Sequence, residues 1–150
     1  MFSYCLALAA VIFVCHGATS ITECPRGNLP VEVQIDNCTE PPCYVNCNGD
    51  IHMTMKFTTP LYLETVTPYV YVFNSVMDVN FTLTTNETNG CNGVLNTFCP
   101  LMPQEYIEYK YTAHLLSFPL IPLTLSFNIL SGEEVAVCFN ANIVPVVMFG

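Results

Sequence analysis

The sequence predicts an all-β fold, a sandwich or barrel of about seven short strands. Three observations carry that prediction. From residue 31 onward apolar residues recur at every second position, the period of a strand with one wet face. Turn chemistry separates the alternating runs: Pro41-Pro42, Asn48-Gly49-Asp50, Pro60, Pro68, Asn89-Gly90, Pro100, Pro103, Pro119, Pro122 and Ser131-Gly132. Finally, no stretch of ten or more residues follows a helical period.

The chain opens with an uninterrupted apolar run over residues 6–14, followed by the small residues Gly17, Ala18 and Ser20. That pattern is a signal peptide over residues 1–20 with cleavage near 17 to 20, although its first residues lack the usual Lys or Arg. A membrane anchor needs roughly 20 apolar residues, about twice the length of this run. Residues 21–150 then form a single domain, with no internal repeat, low-complexity tract or linker.

The first strand pattern places Val31, Val33 and Ile35 against Glu32 and Gln34, and the second places Ile51, Met53, Met55 and Phe57 against His52, Thr54 and Lys56. Residues 69–73 are apolar on both faces. Met77, Val79, Phe81 and Leu83 alternate with Asp78, Asn80 and Thr82. Ile107, Tyr109, Tyr111 and Ala113 face away from Glu108, Lys110 and Thr112. Leu123, Leu125, Phe127 and Ile129 alternate with Thr124, Ser126 and Asn128, and Val135, Val137, Phe139, Ala141 and Ile143 complete the set. The alternation alone leaves two interiors open: a filled core, or sheets that splay around an apolar ligand.

Composition narrows the function. Of 150 residues 52% are apolar and only 10% charged, with 12 acidic residues against 3 basic ones. Arg26, Lys56 and Lys110 build no stripe along a phosphate backbone, which excludes nucleic acid as a partner. Removing the leader takes Cys5 and Cys15 with it and leaves seven of the 9 cysteines. In an exported chain these are bridges, with one to spare. No C-x2-C pair accompanies His52 and His114, so no metal is expected. The sequons at Asn37, Asn80 and Asn86 fit export and place glycans on those asparagines. There is no G-x-S-x-G, no H-E-x-x-H and no acid pair at a recognisable spacing, so the chain reads as a non-enzyme without a cofactor.

A more specific pattern lies in the cysteine frame. Residues 31–43 alternate and then close on Cys38-Thr-Glu-Pro-Pro-Cys43; further on come Gly90-Cys91, Cys99-Pro100 and Cys138-Phe139. In this order the motifs resemble the Niemann-Pick type C2 proteins, secreted members of the MD-2-related lipid-recognition (ML) family, over roughly residues 24 to 147. The resemblance implies an immunoglobulin-like sandwich whose sheets part to admit a sterol or acyl chain. It implies bridges from Cys24 to Cys138, Cys38 to Cys43 and Cys91 to Cys99, with Cys47 spare; the spacing of Cys47 leaves a competing Cys43 to Cys47 pairing open.

By matching positions, the resemblance places Val79 and Phe81 at the pocket mouth, Leu116, Phe118 and Pro119 at the opposite lip, and Leu125 and Phe127 deep in the pocket. Asn80 or Ser117 near the mouth would hydrogen-bond a lipid hydroxyl. An apolar cavity of about 300 Å³, at about 24 cal/mol per Å³, costs at most on the order of 7 kcal/mol. Three disulfides at about 2 to 4 kcal/mol each offset that. The implied function is a secreted or lysosomal, monomeric carrier of a sterol or other apolar lipid, with a membrane lipid-transfer protein as acceptor. Rival readings are a fatty-acid or semiochemical carrier and an accessory protein of innate immunity that presents an anionic glycolipid. The last would want a cationic rim.

Overall fold

The computed structural model describes residues 17–36, 38–80, 89–114 and 118–149, and the side chain of His114 is not among the described groups. Eight strands follow in order: β1 (Glu32–Ile35), β2 (Cys43–Asn46), β3 (Asp50–Thr58), β4 (Thr67–Phe73), β5 (Asp78–Asn80), β6 (Tyr106–His114), β7 (Leu123–Ser131) and β8 (Glu134–Val146). They form two sheets, one ordered β1-β3-β6 and the other β2-β8-β7-β4-β5. Among the described residues the helical element is one 3-10 turn, Gly90–Gly93. The fold is the expected all-β sandwich.

Alternation becomes burial most clearly in β3, where Ile51, Met53, Met55 and Phe57 are buried and each intervening side chain is exposed or half-buried. Its neighbours in the sheet are antiparallel, with Met53 opposite Ile35 of β1 and Tyr111 of β6. The inward phases of all three strands therefore coincide. Val31 departs from the pattern: it lies just before β1 and is 72% exposed, because the paired strand begins only at Glu32.

The five-stranded sheet contains a feature the alternation did not reveal. β2, only four residues long, pairs in parallel with the far end of β8, Cys43 opposite Ile143 and Asn46 opposite Val146. Moreover β8 is buried on both faces from Ala136 to Phe139, although the pattern predicted a wet side there. The N-terminal segment covers that side: Thr22 exchanges two backbone hydrogen bonds with Asn140, and Asn28 donates to Ala136 and accepts from Cys138. Gly27 makes this approach possible. Its φ is +85°, and an added Cβ would sit 2.7 Å from Val135 Cγ1.

Disulfides join Cys24 to Cys138, Cys38 to Cys43 and Cys91 to Cys99. Cys43 is thus committed to Cys38, and Cys47 is a buried free thiol. The segment just before these bridges is also integral to the fold. Thr19 is buried; its N–H donates to Val33 O at 2.7 Å, its hydroxyl donates to Cys38 O, and its Oγ1 accepts from Ile35 N at 2.9 Å.

Candidate functional site

Between the sheets, the strands bring eight side chains around a small apolar void. The three-stranded sheet contributes Ile35, Ile51, Met53, Tyr111 and Ala113, and the five-stranded sheet contributes Val70, Leu125 and Phe127. The register explains the gathering. Ile51 lies opposite Ala113, Met53 opposite Tyr111 and Val70 opposite Phe127, so each strand delivers its inward residues at one end of the sandwich. Ala113 leaves room because its neighbours are long.

Phe127 marks the inner limit of the void. Its ring meets Tyr111 edge-on at a centroid distance of 5.0 Å, Phe139 nearly parallel at 5.7 Å and Tyr109 at 6.3 Å. Rings at such distances and tilts contribute beyond their buried area. Burial pushes the Tyr109 phenol well above its ordinary value of 10.0. No charged side chain lines the void, and among the described residues no group of three or more His, Cys, Asp or Glu could hold a metal ion. The walls offer dispersion and desolvation, and nothing for bond-making chemistry.

The void measures about 20 Å³. That is far smaller than the cavity of about 300 Å³ for which the energetic cost was estimated from the sequence. Phe127, Tyr111 and Met53 project into the same space and close it to roughly the room of one water.

Of the residues assigned from sequence, Leu125 and Phe127 stand on the wall of the void. Val79 and Phe118 are half-buried against the core cluster, and Pro119 is exposed. Phe81, Leu116 and Ser117 lie outside the described residues, as do Asn37 and Asn86. Asn80 is not at the mouth: it is exposed on edge strand β5 and accepts a hydrogen bond from Tyr69 Oη at 2.7 Å. The other six wall residues, Ile35, Ile51, Met53, Val70, Tyr111 and Ala113, are not among those the sequence assigned to the pocket. The signal for them was present as the inward phase of each strand, with the small Ala113 among large residues.

A larger open groove of about 600 Å³ runs beside the Cys38–Cys43 bridge, along the edge where β1 and β3 of one sheet meet β2 of the other. Asp36, Glu40 and Asp50 rim it, and Ile35 alone is shared with the apolar void. Its acidic rim suits solvent better than lipid.

Residues 18–144 match the family described as the ML domain. Among solved structures the chain is similar to a Niemann-Pick type C2 protein from Japanese carpenter ant, with a TM-score of 0.72 and 21% identity over 85% of this chain and 99% of that one. It is also similar to chicken MD-1 complexed with lipid IVa, with a TM-score of 0.50 and 13% identity over 77% of this chain and 80% of that one. At these identities the likeness is one of fold. No curated protein matches the sequence.

Proposed function

The chain belongs to the ML domain family, and from that premise we propose that it is a secreted or lysosomal carrier of a sterol or another apolar lipid. Domains of this family bind lipid without catalysis, and the chain is not an enzyme. The observation that carries the proposal is the void itself: a charge-free apolar space at one end of the sandwich, walled by both sheets. The MD-1 complex with lipid IVa supports a lipid as cargo at the coarser level, without selecting its headgroup.

Affinity comes from desolvation. Hiding some 300 to 400 Å² of a sterol-sized ligand, at about 25 cal/mol per Å², yields on the order of 8 to 10 kcal/mol before association costs. A void of about 20 Å³ admits such a ligand only if the walls move. We assign the movement to Met53, a side chain with three rotatable bonds, and to a widening of the sheets at the void end. Val79, Phe118 and Pro119, with Phe81 and Leu116, then form the entrance, and Leu125 and Phe127 the deep wall. With three basic residues in the chain, the cargo is neutral in preference to anionic, and the acidic surface favours handover to an acceptor protein over collision with an anionic bilayer.

Export begins with the leader. Thr19 holds Val33, Ile35 and Cys38 through its three hydrogen bonds, so cleavage falls before it. A cut after Gly17 leaves small residues on both sides of the scissile bond and preserves Thr19.

The test is to purify the exported protein, extract it with organic solvent and identify what co-purifies. A stoichiometric sterol or fatty acid is expected, with Phe118→Ala reducing uptake while leaving secretion intact. A domain that is empty and refuses a fluorescent sterol and a fluorescent fatty acid alike would overturn the proposal.

A further inference from the structure

On the outer face of the five-stranded sheet, Tyr69, Tyr71 and Phe73 of β4 form a continuous aromatic stripe, with successive ring centroids 5.7 and 5.6 Å apart. All three rings are exposed or half-exposed. Beside the stripe lies a shallow, mostly apolar groove of about 320 Å³, bordered by Tyr69, Tyr71, Asn128 and Leu130, with Pro25 and Arg26 on its far bank. The lipid void between the sheets makes no use of this surface.

Asn80 stands at the edge of the stripe. In the β4–β5 ladder it is directly opposite Tyr71, which puts its side chain on the same face. The Tyr69 hydroxyl donates to Asn80 Oδ1 at 2.7 Å, which orients the amide and engages its oxygen. Asn80 is also the first residue of the sequon Asn80-Phe81-Thr82. Nδ2 is therefore the atom to be modified, on an edge strand that a transferase can reach.

We propose that Asn80 carries an N-linked glycan whose first sugars lie on the Tyr69–Tyr71 rings and extend towards the adjoining groove. The inference rests on the export reading above. In the transfer, Asn80 Nδ2 attacks C1 of a polyprenyl-pyrophosphate-linked oligosaccharide. The N–C1 bond forms, the C1–O bond to pyrophosphate breaks, and one Nδ2 proton passes to a base of the transferase. The apolar C–H face of the sugar ring then covers the aromatic faces, as another ring would.

A tether is what favours a sugar over a bilayer as the occupant. A group bonded at Asn80 is held next to the rings at high effective concentration, whereas a chain of formal charge −9 is repelled by an anionic surface.

The experiment uses the whole chain, exported by its own leader from a glycosylating host. Peptide mass mapping reads occupancy at Asn80, and thermal unfolding compares four proteins: parent, Thr82→Ala, Tyr69→Ser with Tyr71→Ser, and all three substitutions together. The parent is expected to be occupied at Asn80 and to melt about 2 to 4 °C above Thr82→Ala, a shift typical of one modest contact in a domain of this size. That increment should vanish on the serine background and survive trimming of the glycan to its first sugar by an endoglycosidase. An exported chain that is bare at Asn80 overturns the inference, as does an increment equal on both backgrounds. A chain retained in the cell and bare at Asn37 and Asn86 as well overturns the export reading and this inference together.

Discussion

The two ends of the sandwich are built from the same strands and packed differently. At one end, where β3 finishes and β6 begins, Phe57, Leu63, Leu101 and Ile107 are each 0 to 1% exposed. Leu63 and Leu101 exchange backbone hydrogen bonds at 2.8 and 3.0 Å, and the buried Thr59 hydroxyl donates to Met102 O. At the other end, Ile51, Met53, Tyr111, Ala113 and Leu125, at 3 to 7% exposed, surround the void together with Val70 and the fully buried Ile35 and Phe127. The comparison teaches a division of labour. One end holds the sheets together, and the other keeps an apolar void between them, the slack that the proposed carrier function would use. Phe127, touching Tyr111 on one side and Tyr109 on the other, is the boundary.

The sharpest test of this division uses the disulfides. Removing the Cys24–Cys138 bridge, which spans 114 residues, with Cys24→Ser and Cys138→Ser should cost about 5 kcal/mol in the chain-entropy picture. Urea unfolding reads the loss, and lipid uptake per folded molecule should not change. Removing Cys38–Cys43, five residues apart, should cost only about 2 kcal/mol. That bridge links the end of β1 to β2, one strand of each sheet, on the edge beside the void. Its loss should accelerate exchange of a fluorescent lipid, and an unchanged exchange rate would break the comparison.

Leu101→Ala should lower stability by about 3 kcal/mol, the middle of the range for a fully buried leucine, with lipid affinity intact. Ala113→Leu acts at the opposite end. Three added carbons exceed a void of about 20 Å³, so stability should fall by about 1 to 3 kcal/mol through overpacking. Lipid affinity should fall too, by tenfold or more in a fluorescence titration. Equal loss of affinity in both variants would erase the distinction between the ends.

The smallest effect concerns the boundary. Because burial raises the Tyr109 phenol above its unfolded value of 10.0, its contribution to stability is complete below that pH. As pH rises past 10.0 the unfolded chain releases the proton first, and stability declines. By about pH 11 the decline is roughly 1 kcal/mol. Tyr109→Phe should remove this share of the alkaline loss, measured as the difference in urea midpoint between pH 9 and 11.

The period-2 alternation made β3 and β6 legible, because one face of each meets the core over nine residues; β7 follows the same alternation, but Ser126 and Asn128 on its expected wet side are buried as well. The cysteine order implied the frame of three bridges now found in the structure. β2 was not legible: four residues between Pro42 and Gly49 show too little pattern, and only its parallel partner in β8 makes them a strand. The second buried face of β8 was hidden for a related reason, since residues more than 100 positions away cover it. As for the candidate site, Leu125 and Phe127 line the inter-sheet void, whereas the volume of that void was not legible. Volume depends on how Tyr111, Met53 and Phe127 share space, which no one-dimensional pattern records.

The docking of the N-terminal segment on β8 also sets a timetable. β8 comes last in order among the described strands, yet it pairs with β7 and β2 and receives Thr22, Asn28 and Cys24 from more than 100 positions earlier. The larger sheet cannot be completed, nor Cys24 joined to its partner, until β8 has been made. Folding should be slow at that step, as expected where contacts are mostly distant in sequence. Until then the apolar faces of the earlier strands stand open, the state in which a chain is most exposed to aggregation.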